Sequence, residues 1–349
     1  MPEWRKDPVV DRWVVIATDR AKRPTDYKCP VDEKLPQRCP LCPGRENETP
    51  PEILAFRRPG SEPNRPGWWV RVVPNKFPAV RIEERPVSWW DGMFQAASGL
   101  GAHEVIVEGP EHEDDLANLD EQQVEEVLWA WRARLLDLRG DTRLKYILIF
   151  KNKGRTAGAS LFHAHSQLLA TPMVPAEVGA EIAGVRRYHL QKGSCVYCDM
   201  LHQELGRGER VVLAGSRFVA LSPFAARFPF ETWILPRKHQ HDFVLVDEED
   251  IRELARILRQ TLQKLQAAIC DIPYNMVLHT APVNTEPEVL YHWHLEILPR
   301  LTIMAGFEFG TGYYINPTPP EMAARALRNT EVPVEREPVA GVKEVGRGV

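Results

Sequence analysis

The chain has 349 residues, 44% of them hydrophobic and 26% charged, with a formal net charge of -4 and a pI near 6.3. That length suits two domains of ordinary size, and the slightly acidic balance offers no basic field for nucleic acid or anionic lipid. No apolar run approaches the length of a membrane span, and the opening MPEWRKDPVVDRW lacks the apolar stretch of a signal peptide, so a cytoplasmic protein is expected.

The first landmark is the C-x-x-C pair Cys39/Cys42, set in RCPLCPGRENETPPE. A thioredoxin-like redox pair would open a helix; this segment is too rich in Pro and Gly for that and resembles a zinc knuckle. The β-branched and aromatic runs WWVRVV and HEVIVE then read as strands. Val124, Leu128, Trp131 and Leu135 form one apolar stripe at helical spacing, with Asn118 or Asp120 as its N-cap. The strand YILIF leads into FKNKGRTAGAS, a turn of small residues carrying Lys151, Lys153 and Arg155, and then into HAHSQLLATP. Small residues let backbone N–H groups approach phosphate oxygens, and the cations would neutralise charge.

The same order returns further on. A second C-x-x-C pair, Cys195/Cys198, precedes the strand ETWIL and then His239. A second striped helix follows, with Ile251, Leu254, Leu258, Leu262, Leu265 and Ile269 behind an Asp247 cap. It leads to the strand YNMVLH and to HWHLEILP, while Cys29 and Cys270 stand apart from both pairs. Each half thus contains C-x-x-C, a lone His, and H-x-H, in that order. From second Cys to lone His (His103, His239) is 61 and 41 residues, and from there to the H-x-H is 60 and 53. The expected fold is α+β, with antiparallel sheets and one long helix per half rather than βαβ winding. Boundaries fall at 1–185 and 186–328, and residues 329–349 read as a flexible tail.

Zinc takes four Cys or His ligands in a tetrahedron. The repeat supplies two such sets: Cys39, Cys42, His103 and His163, and Cys195, Cys198, His239 and His292. Four protein ligands leave no position for water, so both sites are expected to be structural. Glu181, His279, His292 and His294 form a competing second set that iron or zinc would accept; His292 belongs to both, so both cannot fill completely. The repeat favours the cysteine set.

Alternate residues of a strand share a face, so His163, His165 and Gln167 point one way and Ala164 and Ser166 the other. With His163 tied to metal, His165 is held beside it as a nucleophile toward phosphorus. Gln167 can donate a hydrogen bond to transition-state oxygens but cannot shuttle a proton to activate water. Gln in place of a third His therefore favours transfer to an acceptor other than water over hydrolysis. The second copy, HWHLE, has neither this Gln nor the small-residue loop and reads as catalytically silent.

HAHSQ, KNKG…GAS, the first metal set and DRAKRP together resemble the galactose-1-phosphate uridylyltransferase family, the H-x-H-x-Q transferase branch of the histidine-triad superfamily. The resemblance runs from about residue 5 to residue 325. It implies two tandem histidine-triad-like half-domains, a homodimer, and a nucleotide sugar and a sugar 1-phosphate as substrates. It implies His165 as the residue that takes up the nucleotidyl group, with Gln167 bonding the phosphoryl group. Asn152 and Ser160 match phosphate-contacting positions, and Arg20 and Arg23 match arginines that reach the nucleotide phosphates. Asn75 and Phe77 match the nucleoside loop, and Phe307 and Glu308 an aromatic–acid pair that contacts the sugar. Tyr314 stands where the family has glutamine. The ending GTGYYIN and the second cysteine pair look more like a plant relative acting as an ADP-glucose phosphorylase. The expected activity is a ping-pong UDP-glucose–hexose-1-phosphate uridylyltransferase, with an ADP-glucose phosphorylase-type adenylyl transfer to phosphate as the alternative.

Overall fold

The structure, a computed structural model, describes residues 1–18, 38–112, 115–286 and 288–332. In chain order the first half contributes β1 (Glu3–Lys6), β2 (Trp13–Ile16), β3 (Leu54–Arg57), β4 (Trp68–Pro74), β5 (Ser88–Asp91), β6 (Phe94–Ala97), β7 (Ala102–Val107), α1 (Glu121–Leu138), β8 (Tyr146–Lys153) and β9 (His165–Thr171). The second half contributes α2 (Ala176–Lys192), α3 (Val196–Arg207), β10 (Val211–Ala214), β11 (Phe218–Leu221), β12 (Thr232–Pro236), α4 (Glu248–Ala268), β13 (Tyr274–His279), β14 (His294–Pro299), α5 (Gly306–Thr311), β15 (Tyr314–Asn316) and α6 (Pro320–Asn329).

The halves share one ten-stranded sheet, ordered β10-β11-β12-β14-β13-β8-β9-β7-β4-β3. Read outward from the centre, the sequence repeat becomes a repeat of strands: β8 and β13, β9 and β14, β7 and β12, β4 and β11, β3 and β10. The two copies meet where β8 and β13 pair antiparallel, Asn152 opposite Asn275 and Phe150 opposite Val277. All pairings in this sheet are antiparallel; the small sheet β1-β2-β15 includes one parallel pair, β2 with β15. The architecture is therefore the expected mixed α+β, but the two halves are welded along a strand edge rather than carrying separate sheets. That edge would otherwise expose unpaired N–H and C=O groups.

The stripes that predict α1 and α4 are buried: Val124, Leu128, Trp131 and Leu135, and Ile251, Leu254, Leu258, Leu262 and Leu265, all join the main core with Leu168, Ala170, Leu295 and Ile297 of the sheet. Of the two N-cap candidates for α1, Asp120 accepts from the Gln123 N–H, and Asp247 forms a capping box with Asp250 on α4. Ser166 faces this core, where its Oγ accepts a hydrogen bond from Trp131 Nε1 at 2.9 Å. His165 and Gln167 consequently face the opposite side of the sheet.

On that opposite side the halves differ. The second half covers it with α2 and α3, whose Val185, Val196, Tyr197 and Leu201 pack on Trp233, Leu235 and Tyr291. Neither helix is among the sequence expectations; their buried faces take form against Trp233, Leu235 and Tyr291, which are distant in the chain. The region read as a tail begins with the end of α6; residues 333–349 lie outside the described residues.

Candidate active site and metal centres

His165 opens β9, 6% exposed, with its Nδ1 at 2.8 Å from the His163 carbonyl oxygen. A carbonyl can only accept, so Nδ1 carries the hydrogen and Nε2 presents a lone pair. Burial, with the Lys151 cation and His163 adding to it, lowers the His165 pKa to about 4, which keeps the imidazole neutral at physiological pH. A neutral ring with a free Nε2 is the nucleophilic form.

The loop before β9 forms a 3-10 turn over Arg155–Ala157 and closes on Gly158 at φ +90°, a left-handed position that favours glycine. Asn152 sits on the loop's near side, with its Oδ1 accepting from Asn275 Nδ2 at 2.8 Å. Asn275 also donates to the Ala157 carbonyl at 2.7 Å, so a side chain of the second half holds the loop of the first. Nothing in the sequence pattern marks Asn275; only the β8–β13 pairing brings it there. Ser160 is exposed on the same loop.

Two of the loop's three cations are not available to phosphate. Lys151 is buried and bonds Glu108 at 2.6 Å, with Asp115 at 3.4 Å, and Lys153 pairs with Asp115 at 3.1 Å and with Asp271. Strand alternation turns Lys151 away from the loop's open face, leaving Arg155 exposed.

The first metal cluster departs from expectation at one ligand. Cys39, Cys42, His112 and His163 have ligand atoms within 4.8 Å of one another. His112 Nδ1 lies 3.3 Å and His163 Nδ1 3.6 Å from Cys42 Sγ. His103 is not in this set. It lies within β7, on the strand beside β9, and its Nε2 is 3.0 Å from Gln167 Oε1. His112, in the loop after β7, can reach the knuckle. A spacing signal existed: 51 residues separate His112 from His163 and 53 separate His239 from His292.

The second set matches its expectation: Cys195, Cys198, His239 and His292 cluster, with His239 Nδ1 3.5 Å and His292 Nδ1 3.6 Å from Cys198 Sγ. The copies agree in detail. His163 Nε2 meets the Gly109 carbonyl at 2.8 Å and His292 Nε2 meets the Pro236 carbonyl at 2.9 Å. Each carbonyl fixes the tautomer that turns Nδ1 to the cysteines, the arrangement metal-bound histidines adopt. Unlike the first pair, the second opens a helix, Cys195 being the N-cap of α3. Hydrogen bonding from Cys198, against burial, and from His239 and His292 pulls the Cys195 thiol down toward the metal-binding thiolate. Cys270 is disulfide-bonded and belongs to neither cluster.

His292 does not join the competing set, because it and His294 diverge. Glu181 of α2, His279 and His294 form a third, separate cluster, so the two sets exclude each other no longer. His279 stacks on His294 at 4.7 Å, and its Nδ1 is 3.3 Å from Glu181 Oε1. His294 donates its Nδ1–H to the His292 carbonyl, leaving a buried Nε2 with no partner among the described residues. An orphaned lone pair beside a carboxylate and a second imidazole fits a cation such as iron or zinc. His294 is the counterpart of His165, but it is 0% exposed beneath Tyr197 and Trp233, so its copy of the site is closed.

Residues 1–175 match the family model Galactose-1-phosphate uridyl transferase, N-terminal domain, and residues 181–330 match its C-terminal domain. The chain belongs to the galactose-1-phosphate uridyl transferase family. It is 38% identical over 338 residues to an ADP-glucose phosphorylase of Arabidopsis thaliana, covering 95% of this chain and 93% of that one. It is 32% identical over 345 residues to a galactose-1-phosphate uridylyltransferase of Thermotoga maritima, covering 96% and 100%. A crystal structure of the Arabidopsis thaliana ADP-glucose phosphorylase with bound ADP-glucose superposes with a TM-score of 0.80 at 36% identity, covering 95% and 99%.

The remaining positions that resemble this transferase family are placed as follows. Arg20 and Arg23 lie outside the described residues. Asn75 follows β4, its Oδ1 accepting from the Phe77 N–H at 2.9 Å, and Phe77 stands 83% exposed beside it. Phe307 and Glu308 lie on α5, where Glu308 accepts from the Ala305 N–H at 2.9 Å and caps the helix.

Proposed function

We propose that this member of the family is a UDP-glucose–hexose-1-phosphate uridylyltransferase working through a nucleotidyl-histidine. The observation that carries the reading is the His165 tautomer: Nδ1–H held by the His163 carbonyl, Nε2 free, the ring neutral. Nε2 attacks the α-phosphorus of UDP-glucose, and the bond to the β-phosphate oxygen breaks. Glucose 1-phosphate leaves with that electron pair. The carbonyl of His163 supports the positive ring that results. A phosphate oxygen of galactose 1-phosphate then attacks the same phosphorus, Nε2 departs with its electrons, and UDP-galactose forms. Gln167 donates its amide N–H to the non-bridging oxygens in both steps. Asn152, Ser160, Arg20 and Arg23 hold the phosphates, Asn75 and Phe77 the nucleoside, and Phe307 and Glu308 the sugar.

The Cys39 and Cys195 clusters bind zinc with Cys42, His112 and His163, and with Cys198, His239 and His292. A zinc there staples loops, and the first holds the strand entry that aims His165. Residues 1–185 act as the catalytic half and 186–328 as the silent half. The protein works as a homodimer, as the family resemblance implies, and in the cytoplasm.

The 38% identity to the Arabidopsis thaliana ADP-glucose phosphorylase favours a second reading, adenylyl transfer from ADP-glucose to phosphate. One experiment tests both. UDP-glucose and ADP-glucose labelled in the α-phosphate are incubated separately with the protein, which is then denatured. Acid-labile label from UDP-glucose is expected; label from ADP-glucose alone would favour the second reading, and label from neither would overturn both. Label retained by His165→Ala would overturn His165 as nucleophile.

A further inference from the structure

We propose that His103 is a positioning residue that locks the carboxamide of Gln167 with its oxygen toward the imidazole and its NH2 toward the transferred phosphoryl group; this rests on the nucleotidyl-transfer reading above. The Ala79 backbone N–H lies 3.1 Å from His103 Nδ1. A backbone N–H only donates, so Nδ1 must accept and, in the neutral ring, Nε2 carries the hydrogen. That hydrogen faces Gln167 Oε1 at 3.0 Å, which selects one of the two amide orientations and leaves both Gln167 N–H groups unspent. Asn75 Nδ2 lies 3.2 Å from the same Nε2, but with Asn75 Oδ1 held by the Phe77 N–H it presents a second donor and cannot take this hydrogen, so Gln167 Oε1 is the acceptor left for it.

Strand register makes the pairing specific. Val105 stands opposite Gln167, so His103 is its diagonal neighbour on the same face. In the silent half Trp233 stands opposite Glu296, and the diagonal neighbour two residues earlier is Glu231. There Arg227 bridges Glu231 and Glu296, spending the carboxylates on an internal ion cluster. Where the chain carries Gln it carries the donor that orients Gln; where it carries Glu it carries an acid and an arginine.

A double-mutant cycle in the full-length protein tests this, reading kcat and KM for transfer, the rate of His165 labelling and the melting temperature. Removing a preorganised donor outright costs about a hundredfold in kcat, and letting it rotate about tenfold. His103→Ala is expected to lower kcat about tenfold, leave KM for the nucleotide sugar nearly unchanged, and lose nothing further in a Gln167→Ala background. His103→Gln, which keeps an N–H donor, should recover most of the rate and guards against a folding defect in His103→Ala. Equal losses from His103→Ala with and without Gln167, or a His103→Gln no faster than His103→Ala at unchanged melting temperature, would overturn the proposal while leaving the transfer reading intact. A Gln167→Ala protein that transfers at the normal rate would overturn the role of Gln167 and this proposal together, and absence of His165 labelling would instead mark failure of the transfer reading.

Discussion

His112 Nδ1 stands 3.3 Å from Cys42 Sγ, 70 residues away along the chain, while His103 bonds Gln167 on the neighbouring strand. The two histidines are therefore separable by experiment. His112→Ala is expected to lose about one zinc per chain, read by elemental analysis of purified protein, because three remaining ligands do not close a structural site. His103→Ala should keep its full zinc complement; loss of metal there would contradict the ligand set.

Lys151 balances Glu108 in a part of the core where both side chains are almost entirely shielded from water. Burial pushes the Glu108 carboxyl upward, with Lys151 opposing it, whereas the acids around Lys151 outweigh its own desolvation and hold its pKa high. Lys151→Met leaves the buried Glu108 without its cation, while Asp115 keeps Lys153, and should cost about 3–5 kcal/mol in urea unfolding. Adding Glu108→Gln should restore part of that loss. A single variant as stable as the parent would remove the pair's structural importance.

Glu253 of α4 accepts from the N–H groups of Arg217 at 2.7 Å and Phe218 at 3.0 Å and from Ser216. Burial raises its pKa, but those hydrogen bonds and Arg256 outweigh burial and leave it below the ordinary 4.5. A folded pKa below the unfolded one stabilises above the unfolded value and is lost as pH falls through the folded value. The melting-temperature gap between the parent and Glu253→Gln should thus be widest near neutral pH and close below pH 4.5. A gap that widened on acidification would contradict the sign.

Gly184 lets α2 approach the N-terminal segment: a Cβ there would lie 1.8 Å from the Val9 carbonyl oxygen. Backbone cannot swing aside as a side chain can, so Gly184→Ala should destabilise by about 1–3 kcal/mol, measured by thermal melting. Because α2 carries Glu181, the same variant should loosen any cation held by Glu181, His279 and His294.

Local chemistry was legible along the chain. The stripes of α1 and α4 followed from helical spacing, and the common face of His165 and Gln167 from the two-residue period of a strand. The duplication showed in the repeated order of C-x-x-C and H-x-H. These features depend on residues a few positions apart, whose geometry backbone stereochemistry dictates. Helices α2 and α3 were not legible, since their buried faces match a surface supplied by distant strands.

What only the tertiary structure decided is partnership over long separations. It assigned His112 rather than His103 to Cys39 and Cys42, and it gave His292 wholly to Cys195 and Cys198, freeing His294 to face Glu181. It also turned Lys151 into the core and brought Asn275 from the second half to hold the loop of the first. Each outcome turns on which strand lies beside which and in what register, and a two-residue change along a strand moves a side chain by nearly 7 Å. The sequence by itself determined that paired histidines, cysteines and a glutamine would meet around phosphate chemistry; the folded sheet decided which atom of each faces which partner.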